Sequence, residues 1–268
     1  MFYFYAAAVL ILITAVVIFS AKYNWWKKPK DGLVILLYHH IGTPPANSKN
    51  KRNWVSPENF TKQLDWLASN GYTSINFDGL LKIMAGKAQF PPKPVIITFD
   101  DGYKDVYQNA FPLLKERKMK AAALLVQEAV GKYNFWQDPA REVWQDIMTE
   151  EQVKEILKSG VFDYGSHGLT HKNLAKLESD AAEYEILESA ARLANTFGAQ
   201  CAVFAYPYGG GAEDEEINSF ISAAGYKISL SSEQGINPLP LNTAKPLKRI
   251  PIRRRTDMLQ FKLKITRG

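Results

Sequence analysis

At 268 residues, 46% hydrophobic and 22% charged, with Gly and Pro scattered and no internal repeat, the chain is too apolar for a disordered protein and fits one α/β domain. The formal net charge of +6 belongs to its ends: residues 1–30 hold four Lys and no acid, residues 245–268 hold nine Lys or Arg against Asp257, and residues 31–244 carry 20 basic against 26 acidic side chains. No aromatic residues interleave with the basic ones as on a single-strand platform, so nucleic acid is not expected as a partner, and Cys201, the only cysteine, excludes an internal disulfide or a thiolate cage.

Residues 1–20 carry no charge and are long enough to cross a bilayer as one helix, and Tyr23, Trp25 and Trp26 follow as an interfacial aromatic belt. A cleaved signal peptide wants small residues before its cut, which Phe19-Ser20-Ala21 supplies poorly. The expectation is a transmembrane anchor over 1–21, a juxtamembrane linker over 22–32 and a single domain over 33–268. Lys22, Lys27, Lys28 and Lys30 lie after the anchor, which by the positive-inside rule favours a cytoplasmic domain.

Residues 33–38 read as a buried strand ending in His39-His40, and 42–53 as a polar loop. Ser56-Pro57 opens a helix as N-cap and first helical residue, with Phe60, Leu64 and Leu67 on its apolar face. A strand at 94–99, a helix at 106–118 and a strand at 121–126 follow. Thr149 to Gln152 has capping-box spacing ahead of a helix through Lys158, with Gly160 at its C-terminal cap. Then come a strand from 161–164 into Ser166-His167, a helix at 181–197, a strand at 202–205 into Tyr206-Pro207-Tyr208-Gly209, a helix at 215–224, and strands near 226–230 and 247–252. Such alternation implies a mainly parallel sheet covered by helices, barrel-like or doubly wound, with its site at the carboxyl ends of the strands. Those ends carry His39-His40, Asp100-Asp101, His167 and Tyr208.

His167 and His171 are four apart and would share one metal if the segment turned as a helix, with one carboxylate of the Asp100-Asp101 pair completing a two-His-one-carboxylate set. Such a metal suits hydrolysis of an amide or ester and leaves the second Asp free as a base. Taken alone, Asp100 to Gly102 and Tyr206 to Gly209 read as turns, Arg253 to Arg255 as a solvated face, Cys201 as a buried thiol, and Phe135, Trp136 and Trp144 equally as sugar-stacking or core residues.

Thr98-Phe99-Asp100-Asp101-Gly102 together with His167-Gly168-Leu169-Thr170-His171, about seventy residues apart in that order, resembles the first two motifs of the polysaccharide deacetylases (NodB-homology, carbohydrate esterase family 4) over about residues 33–252. The resemblance implies a distorted (β/α) barrel, one divalent metal ion (zinc or another first-row transition metal) held by Asp101, His167 and His171, and Asp100 as catalytic base. Phe204 to Gly209 looks like the third motif, in which the Tyr208 amide helps hold the oxyanion. Three departures stand out: Ala205 where the family has an Arg, no late His, and no Asp-Trp motif. Arg249 is the candidate to replace the Arg. His39, in Tyr38-His39-His40-Ile41, resembles the early His of the poly-N-acetylglucosamine deacetylases of biofilm systems and is favoured over His40 as general acid. The implied activity is deacetylation of N-acetylglucosamine units in a cell-surface polysaccharide by a membrane-anchored, extracytoplasmic enzyme. Peptidoglycan or O-acetylated sugars, and a non-catalytic carbohydrate-binding role, are the alternatives.

Overall fold

The computed structural model describes residues 2–23, 25–198 and 201–268. Its strands are β1 (Val34–Tyr38), β2 (His40–Ile41), β3 (Trp54–Val55), β4 (Thr73–Ser74), β5 (Pro94–Phe99), β6 (Ala121–Leu125), β7 (Phe162–Ser166), β8 (Val203–Ala205), β9 (Ile228–Leu230) and β10 (Ile250–Pro251). Its α-helices are α1 (Phe2–Tyr23), α2 (Pro57–Ser69), α3 (Phe77–Met84), α4 (Phe111–Glu116), α5 (Glu150–Lys158), α6 (Ser179–Phe197), α7 (Glu215–Ala223) and α8 (Met258–Arg267).

The main sheet runs β10-β1-β5-β6-β7-β8-β9, with β4 beside β5, and all its pairings are parallel. Leu36 of β1 pairs with both Ile97 and Ile250, while Leu247, in the same run as β10, bridges to Leu230 of β9. This run therefore touches both edges, and the sheet curls into a half-barrel.

Alternation along each strand divides the apolar residues between two cores. Val34, Leu36, Tyr38, Val95, Ile97 and Phe99 pack outward with Phe60 and Leu64 of α2. Leu33, Ile35, Ile96, Ala122, Leu124, Val203 and Leu230 pack inward. Phe77 and Leu80 of α3 join this inner core and close one end of it. Continued by two residues, the inward rows become polar at the other end: Ile35 leads to Leu37 and His39, and Ile96 to Thr98 and Asp100. The barrel narrows at Gly165, where a Cβ would lie 2.6 Å from Leu124 Cδ2 and 3.0 Å from the Val203 carbonyl.

Local signals account for the helix starts. Ser56 accepts from the Asn59 amide with Pro57 behind it, and Thr149 and Gln152 form the full reciprocal capping box. Gly160 sits at φ 68°, just past the end of α5. The helix expected over 106–118 is a correction: Val106–Ala110 is a wide π turn and only Phe111–Glu116 is α-helical. Pro112 cannot donate to the preceding turn, so the ladder shifts there. Helices α3 and α8, and the short strands β2, β3 and β4, were not expected from the pattern.

Among the described residues none of the apolar stretch of α1 is buried, and by length and composition it could cross a membrane. Its foot rests on α8: Lys22 Nζ lies 2.9 Å from Asp257, the N-cap of α8, and Lys30 N–H donates to the Thr266 carbonyl at 2.8 Å.

Candidate active site

The polar end of the barrel opens into a cavity of about 360 Å³ lined by His39, Asp100, Asp101, His167, His171 and Tyr208, among others. Adjacent residues on a strand face opposite ways, and this separates His39 from His40. His39 reaches the cavity. His40 is packed between Trp54 and Tyr103, with ring centroids 4.0 and 3.6 Å away, and its Nδ1 lies 2.6 Å from Asp105.

Asp100 and Asp101 both enter the cavity because the backbone breaks alternation there, Asp101 standing at φ 73°. His171 and Tyr208 are also left-handed, at φ 65° and 59°, so three of the five non-glycine residues with positive φ among the described residues line this one cavity. Strained backbone gathered at one place marks a position held for function.

Asp100 is met by Arg249, which donates from Nη1 at 2.6 Å and Nη2 at 2.9 Å, and from Nε to the Ser231 carbonyl at 3.0 Å. Arg249 is 1% exposed, which excludes an ordinary surface arginine. It comes from the run that closes the half-barrel. Burial alone would raise the pKa of Asp100, but Arg249 above all, with His167 and His39, holds it below the usual carboxylate value.

Asp101 Oδ1 lies 3.1 Å from His171 Nε2 and 3.5 Å from His167 Nε2, and the three side chains each offer a donor atom within 4.8 Å of the others. Asp101 Oδ1 is buried yet has no well-aligned hydrogen bond, so these atoms converge on a point without satisfying one another. His167 Nδ1 sits 2.8 Å from the Ala205 carbonyl and donates to it, which leaves Nε2 as a lone pair facing the same point. Burial lowers the His167 pKa to about 4, so the ring is neutral at physiological pH, as a ligand must be. Asp101 is held well below the carboxylate range because the three neighbouring histidines outweigh burial. A carboxylate and two imidazoles with open space beside them fit one divalent metal ion.

The helical turn that was the condition for His167 and His171 to share a face is not there: the segment is an irregular loop with Gly168 at φ 83°. The rings meet nevertheless, with centroids 4.9 Å apart, because Glu185 of α6 gathers the loop. Its buried carboxylate accepts from the amides of Leu169 at 3.2 Å and Thr170 at 2.9 Å and from the Thr170 hydroxyl. The three aromatics whose role stood open divide. Trp136 lines the cavity and stacks on His171 at 4.5 Å, Phe135 packs edge-on against Trp136, and Trp144 stacks on Tyr133 outside. Cys201 is buried, and burial pushes its thiol up to about 12.

Sequence reasoning overlooked Glu185, Tyr103 and the cavity-lining Arg52. An acid at a helix position that faces the core was the available signal for Glu185. Tyr103 stands in a loop and Arg52 on a single 3-10 turn, neither with a periodic mark.

Residues 87–229 match the family described as polysaccharide deacetylase. The poly-β-1,6-N-acetyl-D-glucosamine N-deacetylase of Staphylococcus aureus is 30% identical over 199 residues, 70% of this chain and 65% of the relative, so the chain spans a little under two thirds of that relative's length. A polysaccharide deacetylase of Bacillus cereus superposes with a TM-score of 0.72 at 27% identity, over 88% of this chain and 69% of that one. IcaB from Ammonifex degensii shares the fold, with a TM-score of 0.68 at 23% identity over 90% and 100% of the two chains.

Proposed function

The chain belongs to the polysaccharide deacetylase family, and we propose that it removes acetyl groups hydrolytically from N-acetylglucosamine units of a cell-surface or extracellular polysaccharide, with one divalent metal ion held by Asp101, His167 and His171. The observation that carries the reading is the division of two adjacent carboxylates between two partners: Asp100 is clamped by Arg249 and Asp101 faces two histidines. Such a metal would polarise the acetyl carbonyl and acidify water at the site.

The chain's own groups do the rest. Asp100, kept ionised and oriented by Arg249, takes the proton of the attacking water. The Tyr208 amide donates to the oxygen on which negative charge develops. His39 stands in the same cavity and delivers a proton to the sugar nitrogen as the carbon–nitrogen bond breaks, so acetate and a free amine leave. Burial lowers the pKa of His39 while Asp101 and Asp100 oppose that shift. Trp136, stacked on His171, offers a wall for a sugar ring.

The polymer lies outside the cytoplasmic membrane, so the same reading makes α1 a single-pass anchor, with the domain carried over 33–268 on a short linker and extracytoplasmic despite the lysines that follow the span. The 268-residue chain in detergent, loaded with zinc or cobalt, is expected to bind one metal ion and release amine from N-acetylglucosamine oligomers. Release of no amine from the metal-loaded protein refutes the activity, and protease accessibility in intact cells tests the orientation.

A further inference from the structure

Two guanidinium groups at the cavity mouth are left over by the mechanism. Arg52, on the short 3-10 turn Lys51–Asn53, and Arg253, two residues beyond β10, line the cavity that holds Asp100 and the metal triad. Their loops are pinned together by the Arg254 amide, which donates to the Arg52 carbonyl at 2.9 Å. Arg117, Arg141, Arg192 and Arg249 each pair with a carboxylate, but among the described residues neither Arg52 nor Arg253 has one within 4.0 Å. The acids of the cavity cannot serve, since Asp100 is committed to Arg249 and Asp101 faces the histidines. Desolvation first, and then the charge of Arg52, hold the largely exposed Arg253 guanidinium below its usual value.

A neutral acetylated polymer leaves both charges unmatched. Deacetylation creates an ammonium group, so a neighbouring sugar that has already reacted would be repelled at this mouth. An anionic substituent reverses the sign, and guanidinium forks suit phosphate and carboxylate geometry.

We propose that Arg52 and Arg253 form an anion-binding subsite beside the deacetylation centre, selecting a glycan that carries a phosphate or carboxylate next to the acetylated sugar and disfavouring a neighbour with a free amine. This rests on the deacetylase reading. Exposed charge pairs are individually weak, so the expected selectivity is about threefold per guanidinium and about tenfold for the two.

The test compares kcat/KM of the zinc-loaded full chain on three matched oligomers whose unit adjacent to the acetylated sugar is neutral, phosphorylated or already an amine. Wild type is expected to prefer the phosphorylated oligomer over the neutral one about tenfold at low salt and the amine least, with the ratios shrinking as salt rises. R52Q/R253Q brings the ratios to about one, whereas R254Q/R255Q, which removes the same charge outside the cavity lining, keeps them. Equal turnover of all three oligomers by wild type, an undiminished ratio in R52Q/R253Q, or an equal loss in R254Q/R255Q overturns the subsite. So does a requirement for Arg52 and Arg253 seen only as stimulation by phosphatidylglycerol over phosphatidylcholine vesicles, whatever the oligomer, since lipid headgroups are then the ligand. If no oligomer is turned over, the deacetylase reading fails separately. Calorimetry then decides the subsite: phosphorylated N-acetylglucosamine binding more tightly than the neutral sugar, with the difference lost in R52Q/R253Q, supports it, and equal affinities overturn it.

Discussion

Replacing Arg249 by methionine leaves Asp100 buried at 2% exposure with its two ionic hydrogen bonds gone. Breaking a buried pair from one side costs about 3–5 kcal/mol in stability at neutral pH, because the desolvated carboxylate loses its counter-charge. In the wild type the lowered pKa of Asp100 contributes stability above its unfolded value of 3.8, lost as pH falls through the folded pKa. In R249M burial dominates, so Asp100 holds its proton to higher pH and the acid limb of kcat/KM moves to higher pH. Lysine at 249 keeps the charge but cannot supply the fork, so it forfeits about one ionic hydrogen bond, about 1.5–3 kcal/mol or roughly 10- to 150-fold in kcat/KM, while the protein stays folded. Denaturant melts and pH profiles of amine release on both variants decide the matter. An R249M acid limb that coincides with wild type, at undiminished stability, refutes the claim that Arg249 sets the state of Asp100.

Glu185→Ala strips the acceptor from the Leu169 and Thr170 amides, and the loop bearing His167 and His171 loosens. Metal titration is expected to show about 10- to 100-fold weaker binding, and an unchanged affinity would mean the loop holds itself. His39→Gln lowers turnover of acetamido sugars by about 100-fold but affects an aryl acetate far less, because phenolate leaves without a proton; equal losses on both substrates would remove His39 from that role. Asp163, buried at the opposite end of the barrel against the Asp78 amide, has its pKa raised from 3.8 to about 7, chiefly by burial. It binds its proton more tightly folded than unfolded, so stability falls as pH rises from about 4 to about 7 and levels above that. Asp163→Asn should flatten that slope in thermal melts and stabilise the protein at pH 8 by roughly 1–3 kcal/mol, whereas an unaltered slope would assign it to other groups.

The strand ends were legible because parallel strands buried on both faces are written as short apolar runs, and β5 lies over the same residues that the run marks. Helix starts with explicit caps, at Ser56 and Thr149, were equally plain. Helix α3 was not, for its eight residues give the 3.6-residue period too little length to declare itself. The spacing of His167 and His171 suggested a helical turn because four residues is one turn, yet a loop tied to Glu185 reaches the same juxtaposition with His171 in a left-handed conformation. The placement of Arg249 beside Asp100 depends on a barrel closure that pairs residues 149 apart, which no local pattern encodes. The available clue was Ala205 in the place of the motif Arg, which made Arg249, near the last strand, the candidate. His39 and His40 differ by strand parity alone, and that follows once β1 is set in the sheet.

The most direct measurement is metal content and amine release on Asp100→Asn and His171→Ala side by side. Asp100→Asn is expected to bind one metal ion as wild type does while losing about 100- to 10,000-fold in turnover, and His171→Ala to lose both. Sustained turnover by Asp100→Asn, or full metal content in His171→Ala, would contradict the division of the two adjacent aspartates into a base and a ligand.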